Sequence, residues 1–260
     1  MALLTSERRT ASVQAIDEVH VLRLSAQSFH ELVKAYPQLN AVLTQLVATR
    51  LETTGRDALT EKVLQGHRII RQLGRGSMGI VYEAEDLTHN RRVALKMMSH
   101  RLVHSSKAQA RFQQEADLIQ SLNHPNIVRS HSRFSAFYTC FIAMEFCEGR
   151  TLQDLIISEG PLPELLCRRI IGGVAAAISY LHSNDVIHLD LKPSNVMANA
   201  NGTTKLMDFG LAEFVSEIPR LAGTVSGTVR YMSPEQRIGA VQNCRSDYFA
   251  LGCVAWEMFS

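Results

Sequence analysis

The stretch HLDLKPSN occupies residues 188–195, and DFG follows at residues 208–210. The residues between them include VMANANGTTKLM, which has the pattern of two short strands joined at Asn201-Gly202, a dipeptide typical of tight hairpin turns. Such a hairpin carries HLDLKPSN at one end and DFG at the other. The sequence thus predicts that one small structural unit joins two polar, charge-bearing stretches.

These two stretches hold residue types suited to the transfer of a phosphoryl group. Asp190 is placed to accept the proton of an incoming hydroxyl, and Lys192 can neutralise the group as charge moves. Asn195 and Asp208 offer the hard oxygen ligands that Mg²⁺ prefers. Taken singly, DFG is better explained as an ordinary turn and Asp190 as a helix cap. Taken together with the two motifs upstream, the catalytic interpretation is favoured.

The first upstream motif is a glycine-rich loop between two predicted strands. Gly74, Gly76 and Gly79 let the backbone approach phosphate oxygens closely, because a side chain there would collide with a nucleotide. A bulged hairpin or a dinucleotide fingerprint is an alternative explanation. The fingerprint requires a helix directly after the glycines, whereas IVYEAE alternates like a strand. The predicted nucleotide-binding loop comprises Leu73, Gly74, Arg75, Gly76, Ser77, Met78 and Gly79.

The second upstream motif is VALK, which ends at Lys96. Most lysines are solvated at the surface, but the residues before this one are apolar and the glycine loop lies shortly upstream. These features favour an inward-facing lysine that contacts phosphates. Such a lysine needs an anion to hold it, and Glu115, between Phe112 and Ile119 on the inward side of the next predicted helix, is the candidate.

The order of predicted elements indicates a strand-rich half followed by a helix-rich half. Strands are predicted at HRIIRQLG, IVYEAED, RRVALKMM and TCFIAMEF. Helices are predicted over the stretch that has Phe112, Ala116 and Ile119 on one face and ends at HPN (124–126), from Thr151, and over about 164–182. Before them, strands are predicted at 13–16 and 18–24, a helix from Ser25 to Pro37, and a second helix over 39–47. The fold class is therefore α+β, with a β-rich small lobe and an α-rich large lobe around a cleft.

Composition limits the classes of function. The chain has 260 residues, of which 46% are hydrophobic, and a net charge of +2, which gives no electrostatic footprint for nucleic acid or an anionic membrane. Five cysteines without a CxxC pair indicate reduced thiols and a cytoplasmic protein. The longest charge-free apolar stretch, 170–181, is shorter than a bilayer requires, so no membrane segment is expected.

Residues 67–260 resemble the eukaryotic-like serine/threonine protein kinases of bacteria, as LGRGSMGIVYEAED, HPNIV and GTVRYMSPEQ indicate. The resemblance implies ATP and Mg²⁺ as cofactors, protein substrates that carry Ser or Thr, and specificity for these hydroxyls from Lys192. It implies that Thr228 bonds the catalytic aspartate and that Asp247 secures the catalytic loop. Further nucleotide-contacting residues implied by the resemblance are Leu73, Val81, Ala94 and Met197 around the base, Met144 as gatekeeper, and Glu145 and Cys147 through their backbone groups.

Three departures from that family stand out. Leu189 replaces an arginine that normally grips a phosphorylated activation loop. Ser130 lies at a strand position that is normally apolar in the family, where the side chain belongs to a stack that joins the two lobes. The sequence ends at Ser260, where the resemblance implies further helices and an arginine to pair with Glu235. We therefore expect the chain to be part of a longer protein, and the last helix to have an uncovered apolar face at Leu251, Val254 and Trp256.

The first 51 residues resemble the C-terminal part of a cyclic nucleotide-binding domain, and 52–66 a linker. In MALLTSERRTASV, Arg9 followed by Thr10 and Ala11 matches the arginine that holds a cyclic phosphate. The resemblance implies a cyclic nucleotide as a possible ligand of the full-length protein. A generic strand-helix-helix extension is the alternative.

Two functions from different classes remain. The first is an ATP-dependent serine/threonine kinase regulated by a cyclic-nucleotide-type sensor. The second is a catalytically inactive, kinase-like scaffold that binds nucleotide. The presence of Lys96, Asp190, Asn195 and Asp208 favours the first, whereas Leu189 and Ser130 are the features that hint at the second.

Overall fold

The computed structural model describes residues 14–36 except 22 and 24, and residues 59–260 except 77, 100, 101, 104, 137, 138, 222 and 224. The chain divides into two compact units. The first comprises Met1–Gln109 and Arg133–Phe141, and the second comprises Ala110–Ser132 and Ile142–Ser260. The predicted fold class, α+β with a strand-rich and a helix-rich part, is confirmed.

The N-terminal segment corrects one prediction and confirms another. Among the described residues of 14–25 there is no strand, and Ile16, Val19 and Val21 are exposed. A strand needs a neighbour for its backbone groups, and the described residues supply none here. Helix α1 spans Ala26–Ala35, as predicted, and Ser25 caps it because its hydroxyl accepts the N–H of Ser28 at 3.0 Å. The second predicted helix and the linker start lie outside the described residues.

The first unit is built on an antiparallel meander. Strands β1 (Val63–Leu64), β2 (His67–Arg75), β3 (Gly79–Asp86) and β4 (Arg91–Met98) pair in sequence order. Strand β1 escaped prediction because it is only two residues long; Gln65 and Gly66, both at positive φ, form the tight turn that joins it to β2. The sheet has the order β1-β2-β3-β4-β6-β5, with β5 at Ser130–Ala136 and β6 at Thr139–Glu145.

The core of the first unit is apolar on one side of this sheet and aromatic at its end. The ring of Phe134 lies between His67 and Phe141, with ring centroids 5.2 and 5.1 Å away. Fully buried side chains include Ile69, Tyr82, Ala84, Val93, Leu95 and Phe141. This packing fixes the strands that carry the glycine loop and Lys96.

The second unit is mainly helical. Its longer helices are α2 (Ser106–Ser121, which begins in the first unit), α3 (Leu152–Glu159), α4 (Glu164–Ser183) and α6 (Cys244–Phe259), with the single turn α5 at Pro234–Arg237. Short strands lie between them: β7 (Arg150–Thr151), β8 (Val186–Ile187), β9 (Val196–Ala198), β10 (Thr204–Leu206) and β11 (Glu213–Phe214). Three further segments, Pro193–Asn195, Val215–Leu221 and Val229–Tyr231, are 3₁₀ helices.

Helix α4 lies at the centre of the apolar core of the second unit. Ile170, Val174, Ile178 and Leu181 form one buried stripe, in the core cluster that also contains Leu206 and Val254. With 20 residues, α4 is long and apolar enough by length and composition to cross a membrane, a test that core helices also pass. Its buried stripe is that of a core helix.

The predicted hairpin is confirmed. Strands β9 and β10 pair antiparallel, with Ala198 opposite Thr204 and Val196 opposite Leu206, and β7 adds on the other side of β9. Gly202 in the connection has φ +79°, and a Cβ there would lie 2.7 Å from the side chain of Arg169. Glycine is therefore required at this position for both conformation and space.

Helix α6 corrects the expectation about its apolar face. Val254 is fully buried, whereas Tyr248, Trp256 and Phe259 are at least half exposed. The helix thus turns Val254 and Met258 toward α4 and the core cluster, and its exposed aromatic side chains lie on the other face. Leu251 is half-buried against the same cluster.

Candidate active site

The predicted catalytic loop, residues 188–195, is fixed by one buried carboxylate on α6. Asp247 accepts the backbone N–H of His188 at Oδ2 and that of Leu189 at Oδ1, both at 2.9 Å. The imidazole Nε2 of His182 lies 2.8 Å from the same Oδ2. Leu189 has φ +64°, an unusual conformation for a residue with a branched side chain, and these bonds hold it there. The resemblance implied that Asp247 secures this loop, and the two hydrogen bonds from His188 and Leu189 show that it does.

Asp190, Lys192 and Thr228 form one hydrogen-bonded group. The Nζ of Lys192 lies 2.6 Å from Asp190 Oδ2 and 2.9 Å from Thr228 Oγ1. The hydroxyl of Thr228 donates to Asp190 Oδ1 at 3.0 Å. The backbone N–H of Thr228 donates to the same oxygen, also at 3.0 Å. The carboxylate is therefore held by charge and by two donors of one residue.

Gly227 makes this double contact possible. Its φ of +119° is open to glycine and strained for other residues, and a Cβ there would lie 3.4 Å from the carbonyl oxygen of Leu189. The chain therefore enters Thr228 at an angle that aims both its N–H and its hydroxyl at Asp190.

Asn195 and Asp208, the predicted metal ligands, are tied to each other through the backbone. The N–H of Met207 donates to the carbonyl oxygen of Asn195 at 2.8 Å. The side-chain amide nitrogen of Asn195 donates to the backbone oxygen of Asp190 at 2.9 Å, and its amide oxygen is the atom suited to a hard cation. Asp208 adopts φ +59°, and the ring of the next residue, Phe209, contacts that of His188 in an edge-to-face arrangement with centroids 5.0 Å apart.

The second unit also carries the residues predicted to receive the adenine base. Met144 and Glu145 end β6, Cys147 follows, and Met197 lies on β9; all four are half-buried. Burial, and after it the carboxylate of Glu145, raise the pKa of the Cys147 thiol to about 11. The thiol stays protonated at neutral pH, which suits a backbone role better than a nucleophilic one.

In the first unit, Val81, Ala94 and Lys96 share one face of the sheet. Val81 and Lys96 are directly opposite partners on β3 and β4, and Ala94 lies two residues before Lys96 on the same strand. Side chains of cross-strand partners lie on the same side of a sheet. Lys96 is 8% exposed, so it is not the solvated lysine that its residue type alone would suggest.

The three glycines of the loop differ in what they require. A Cβ on Gly79 would lie 1.9 Å from the backbone oxygen of Met97, so the protein itself demands glycine there. A Cβ on Gly74 or on Gly76 would have nothing within 4 Å. These two positions are open on the side where a side chain would stand, and this space fits the predicted approach of phosphates.

The other predicted residues of the loop and of α2 are placed as follows. Leu73 and Arg75 are exposed, Met78 is half-buried, and Ser77 lies outside the described residues. Glu115 is 2% exposed on α2, in the second unit, on the same face as Phe112 and Ile119. Glutamate side chains are rarely buried unless they are paired, so the burial of Glu115 agrees with its predicted inward orientation.

The residues involved in the departures from the family pattern have the following surroundings. Leu189 is 7% exposed and forms a small apolar cluster with Ile187 and Ile218. Glu235 accepts the hydroxyl of Ser246 at 2.6 Å; burial raises the pKa of this carboxyl, but the hydrogen bonds to it lower the pKa by more. Ser130 is half-buried at the start of β5.

Sequence reasoning missed several polar links of this site. One of them is the hydrogen bond between the imidazole of His182 and the carboxylate of Asp247. The Nε2 of Gln114 on α2 donates to Glu213 of β11 at 2.7 Å, which ties the helix of Glu115 to the segment after DFG. Lys205, on β10, pairs with Glu145. The alternation of TTKLM, with Lys205 between two inward residues, is a signal of its outward orientation but does not identify its partner.

Comparisons with known proteins agree with this geometry. The family model described as the protein kinase domain matches residues 67–260. The chain is 34% identical over 215 residues to the serine/threonine-protein kinase PknA of Corynebacterium glutamicum, covering 80% of this chain and 46% of that protein. It is 35% identical to PrkC of Bacillus subtilis and 39% identical to PknD of Mycobacterium tuberculosis, both named serine/threonine-protein kinases, with 75% and 74% of this chain and 30% and 29% of those proteins covered. The chain thus spans less than half the length of these relatives.

Proposed function

This chain belongs to the protein kinase domain family, and from that premise we propose that it transfers the γ-phosphoryl group of ATP to serine and threonine hydroxyls of proteins. The observation that carries the proposal is the group of Asp190, Lys192 and Thr228, with Lys192 Nζ within 2.6 Å of the aspartate and 2.9 Å of the threonine. A carboxylate held by a lysine and a threonine at the entrance of a rigid loop is poised to orient a hydroxyl.

Each residue of this group has a distinct task. Asp190 accepts the proton of the substrate hydroxyl as its oxygen bonds to the γ-phosphorus, while the bond from that phosphorus to the β-phosphate oxygen breaks and ADP leaves. Lys192 offsets the negative charge of the phosphoryl group that is transferred. Thr228 keeps the carboxylate oriented through two donated hydrogen bonds. Phosphoryl transfer depends almost wholly on such positioning and electrostatic stabilisation.

The residues present also fit a magnesium nucleotide. Asn195 and Asp208 would hold Mg²⁺, which neutralises phosphate charge when bound. Two oxygen ligands suffice, because Mg²⁺ usually keeps several waters and binds phosphate oxygens as well. Among the described residues no cluster of three or more His, Cys, Asp or Glu side chains is arranged for a metal. Gly74 and Gly76 leave open the space that a phosphate would take.

The alternative, an inactive nucleotide-binding scaffold, has less support. Its strongest hint, Leu189, is explained by packing against Ile187 and Ile218, and the loop around Leu189 keeps its bonds to Asp247. A scaffold has no need to maintain Asp190 with three separate contacts from Lys192 and Thr228.

Transfer of labelled phosphate tests the proposal. The full-length protein with Mg²⁺ and ATP should phosphorylate itself or a generic basic protein substrate on Ser or Thr, and Asp190→Asn should reduce this by about 10²-fold or more, because positioning supplies most of this catalysis. ATP binding by the Asp190→Asn variant should stay near that of the wild type. Wild-type rates in that variant would refute the proposal, and phosphotyrosine as the main product would refute its specificity.

We further propose that the full-length protein acts in the cytoplasm and responds to a cyclic nucleotide. Five free cysteines support the location. The match of Arg9, Thr10 and Ala11 to a phosphate-binding arginine motif supports the ligand, and these residues lie outside the described part of the chain. Calorimetry with cAMP and cGMP on the full-length protein and on Arg9→Ala tests the ligand. Binding that is equal in both proteins, or absent from both, would contradict this role of Arg9.

A further inference from the structure

Lys205 occupies a position that joins three parts of the candidate nucleotide site. It lies on β10, where its backbone pairs with Met197, the predicted apolar contact of the adenine base. Asp208, a predicted metal ligand, follows three residues later on the same chain segment. The side chain of Lys205 reaches Glu145, the last residue of β6. Glu145 and Cys147 are predicted to contact the base through their backbone groups.

The contact with Glu145 is a close ion pair. The Nζ of Lys205 lies 2.8 Å from Glu145 Oε2, and the two side chains are 22% and 32% exposed. The same Nζ lies 3.4 Å from the backbone oxygen of Ile127. Such partial burial strengthens a charge-assisted bond compared with a fully solvated pair.

Glu145 in turn has its backbone and side chain fixed on one side. Its N–H donates to the carbonyl oxygen of Arg129 at 2.8 Å. Its Oε2 accepts the N–H of Arg129 at 3.2 Å in addition to Lys205. These bonds restrain Glu145 at the residue from which the chain continues to Cys147.

We propose that Lys205 is a positioning residue for nucleotide binding. Its ion pair with Glu145 holds the segment of 145–147 in register with Met197 and Asp208, so that the base and the metal-bearing end of the site are aligned before a nucleotide arrives. Lys205 does not touch the reacting atoms in this role. The inference rests on the proposed kinase function and adds to it a residue that acts on affinity for ATP and not on the chemical step.

Substitution of Lys205 by methionine, which keeps the length of the chain and removes the charge, is the first test. In the full-length protein, Lys205→Met should raise the Kd for ATP in calorimetry and the KM for ATP by about five- to tenfold, as expected for loss of a charge-assisted bond that orders a binding segment. The kcat at saturating ATP and the KM for the protein substrate should stay within about twofold, because bound ATP restores the alignment. Lys205→Arg should bind ATP like the wild type.

Two further variants separate positioning from general stability. Glu145→Gln, which removes the partner charge while keeping the side-chain shape, should raise the Kd for ATP as much as Lys205→Met does, and this holds as a test even if Lys205→Met folds poorly. Lys107→Met, on an exposed face of α2, is the matched control and should leave the Kd unchanged.

An unchanged Kd in both Lys205→Met and Glu145→Gln would overturn the inference while leaving the kinase function in place. A fall in kcat with an unchanged KM for ATP would also overturn it, since Lys205 would then act on the chemistry. A wild-type protein that neither binds ATP nor transfers phosphate would refute the proposed function itself, and this inference with it.

Discussion

The glycine loop and the catalytic loop obtain their shapes in opposite ways. Between Gly74 and Gly79 the described residues are held by strand pairing at both ends and by one bond across the loop, from the N–H of Gly76 to the oxygen of Gly79 at 2.8 Å. The catalytic loop, by contrast, is largely buried and is hydrogen-bonded at several of its residues. His188 is fully buried, Leu189 is 7% exposed, and Asp247 accepts the N–H of each.

The difference teaches which part of the site is complete without a ligand. Asp190 and its partners are oriented by the protein's own hydrogen bonds, so the energetic cost of alignment is met on folding. Gly74 and Gly76 border open space, so their functional arrangement depends on what fills that space. Substitutions in the catalytic loop should therefore affect folding and chemistry together, whereas those at Gly74 and Gly76 should affect binding alone.

The strongest challenge to this comparison is removal of the anchor of the catalytic loop. Asp247→Ala leaves two buried backbone N–H groups without their acceptor and should destabilise the protein by about 3 kcal/mol or more. Phosphoryl transfer should fall by about 10²-fold, because Asp190 loses its fixed position. Urea unfolding and a phosphate-transfer assay measure the two effects, with the exposed Asp17→Ala as a control. Normal stability in Asp247→Ala would show that the loop does not depend on this carboxylate.

Two glycine substitutions test the other side of the comparison. Gly79→Ala places a Cβ 1.9 Å from the oxygen of Met97 and should destabilise the protein by about 2 kcal/mol, the usual size for overpacking. Gly76→Ala meets no atom within 4 Å and should change the free energy of unfolding by less than about 0.5 kcal/mol. Its Kd for ATP should nevertheless rise several-fold. If Gly76→Ala bound ATP normally, the open space would not be a phosphate site.

A smaller effect on activity is expected for substitutions in the segment after DFG, which contains Ile218, Thr224 and Ser226. Leu189 supplies no charge to bind a phosphate, and it packs against Ile218 in that segment. The double variant Thr224→Ala/Ser226→Ala should therefore change activity by less than about threefold, since phosphate on these residues has no strong ion pair to make with Leu189. A tenfold loss would show that another cation, such as Arg230 or Arg245, takes that role.

The smallest effect concerns a carboxylate of the first unit, Asp86, which lies at the opposite end of β3 from Gly79. Asp86 is 4% exposed; burial raises its pKa, but hydrogen bonds from His89 and Arg91 lower it by more, to about 2. Because its pKa in the folded protein lies below the unfolded value of 3.8, Asp86 stabilises the protein above about pH 4. This contribution is lost as the pH falls toward about 2.

Thermal unfolding at several pH values checks this sign. Asp86→Asn should show a shallower decrease in Tm between about pH 4 and pH 2 than the wild type, and its Kd for ATP should be unchanged. An equally steep decrease in the variant would assign the acid sensitivity to other carboxylates.

Sequence patterns predicted what depends on local periodicity or on neighbouring residues. The meander β2–β4, helix α4 with its stripe from Ile170 to Leu181, and the turn at Gly202 follow from spacing alone. The predicted strands at 13–24 were wrong for the described residues, because alternation indicates a possible strand but does not supply a pairing partner.

The links that set the geometry of the site were not visible in that way. Lys205 and Glu145 are 60 residues apart, and Gln114 and Glu213 are 99 residues apart. A single sequence carries no period that connects such pairs. The burial of Val254 was not predicted for a related reason. Packing against α4, and not the composition of α6, decides which side of α6 faces the core.

The bonds from His188 and Leu189 to Asp247 span 59 and 58 residues of chain, whereas the strands of the first unit pair with their immediate neighbours. During synthesis at about 5–20 residues per second, Asp247 is added roughly 3–12 s after the loop that it fixes. Contacts between neighbours also close faster than distant ones. A growing chain therefore gains the strands around its glycine loop seconds before it gains an ordered Asp190.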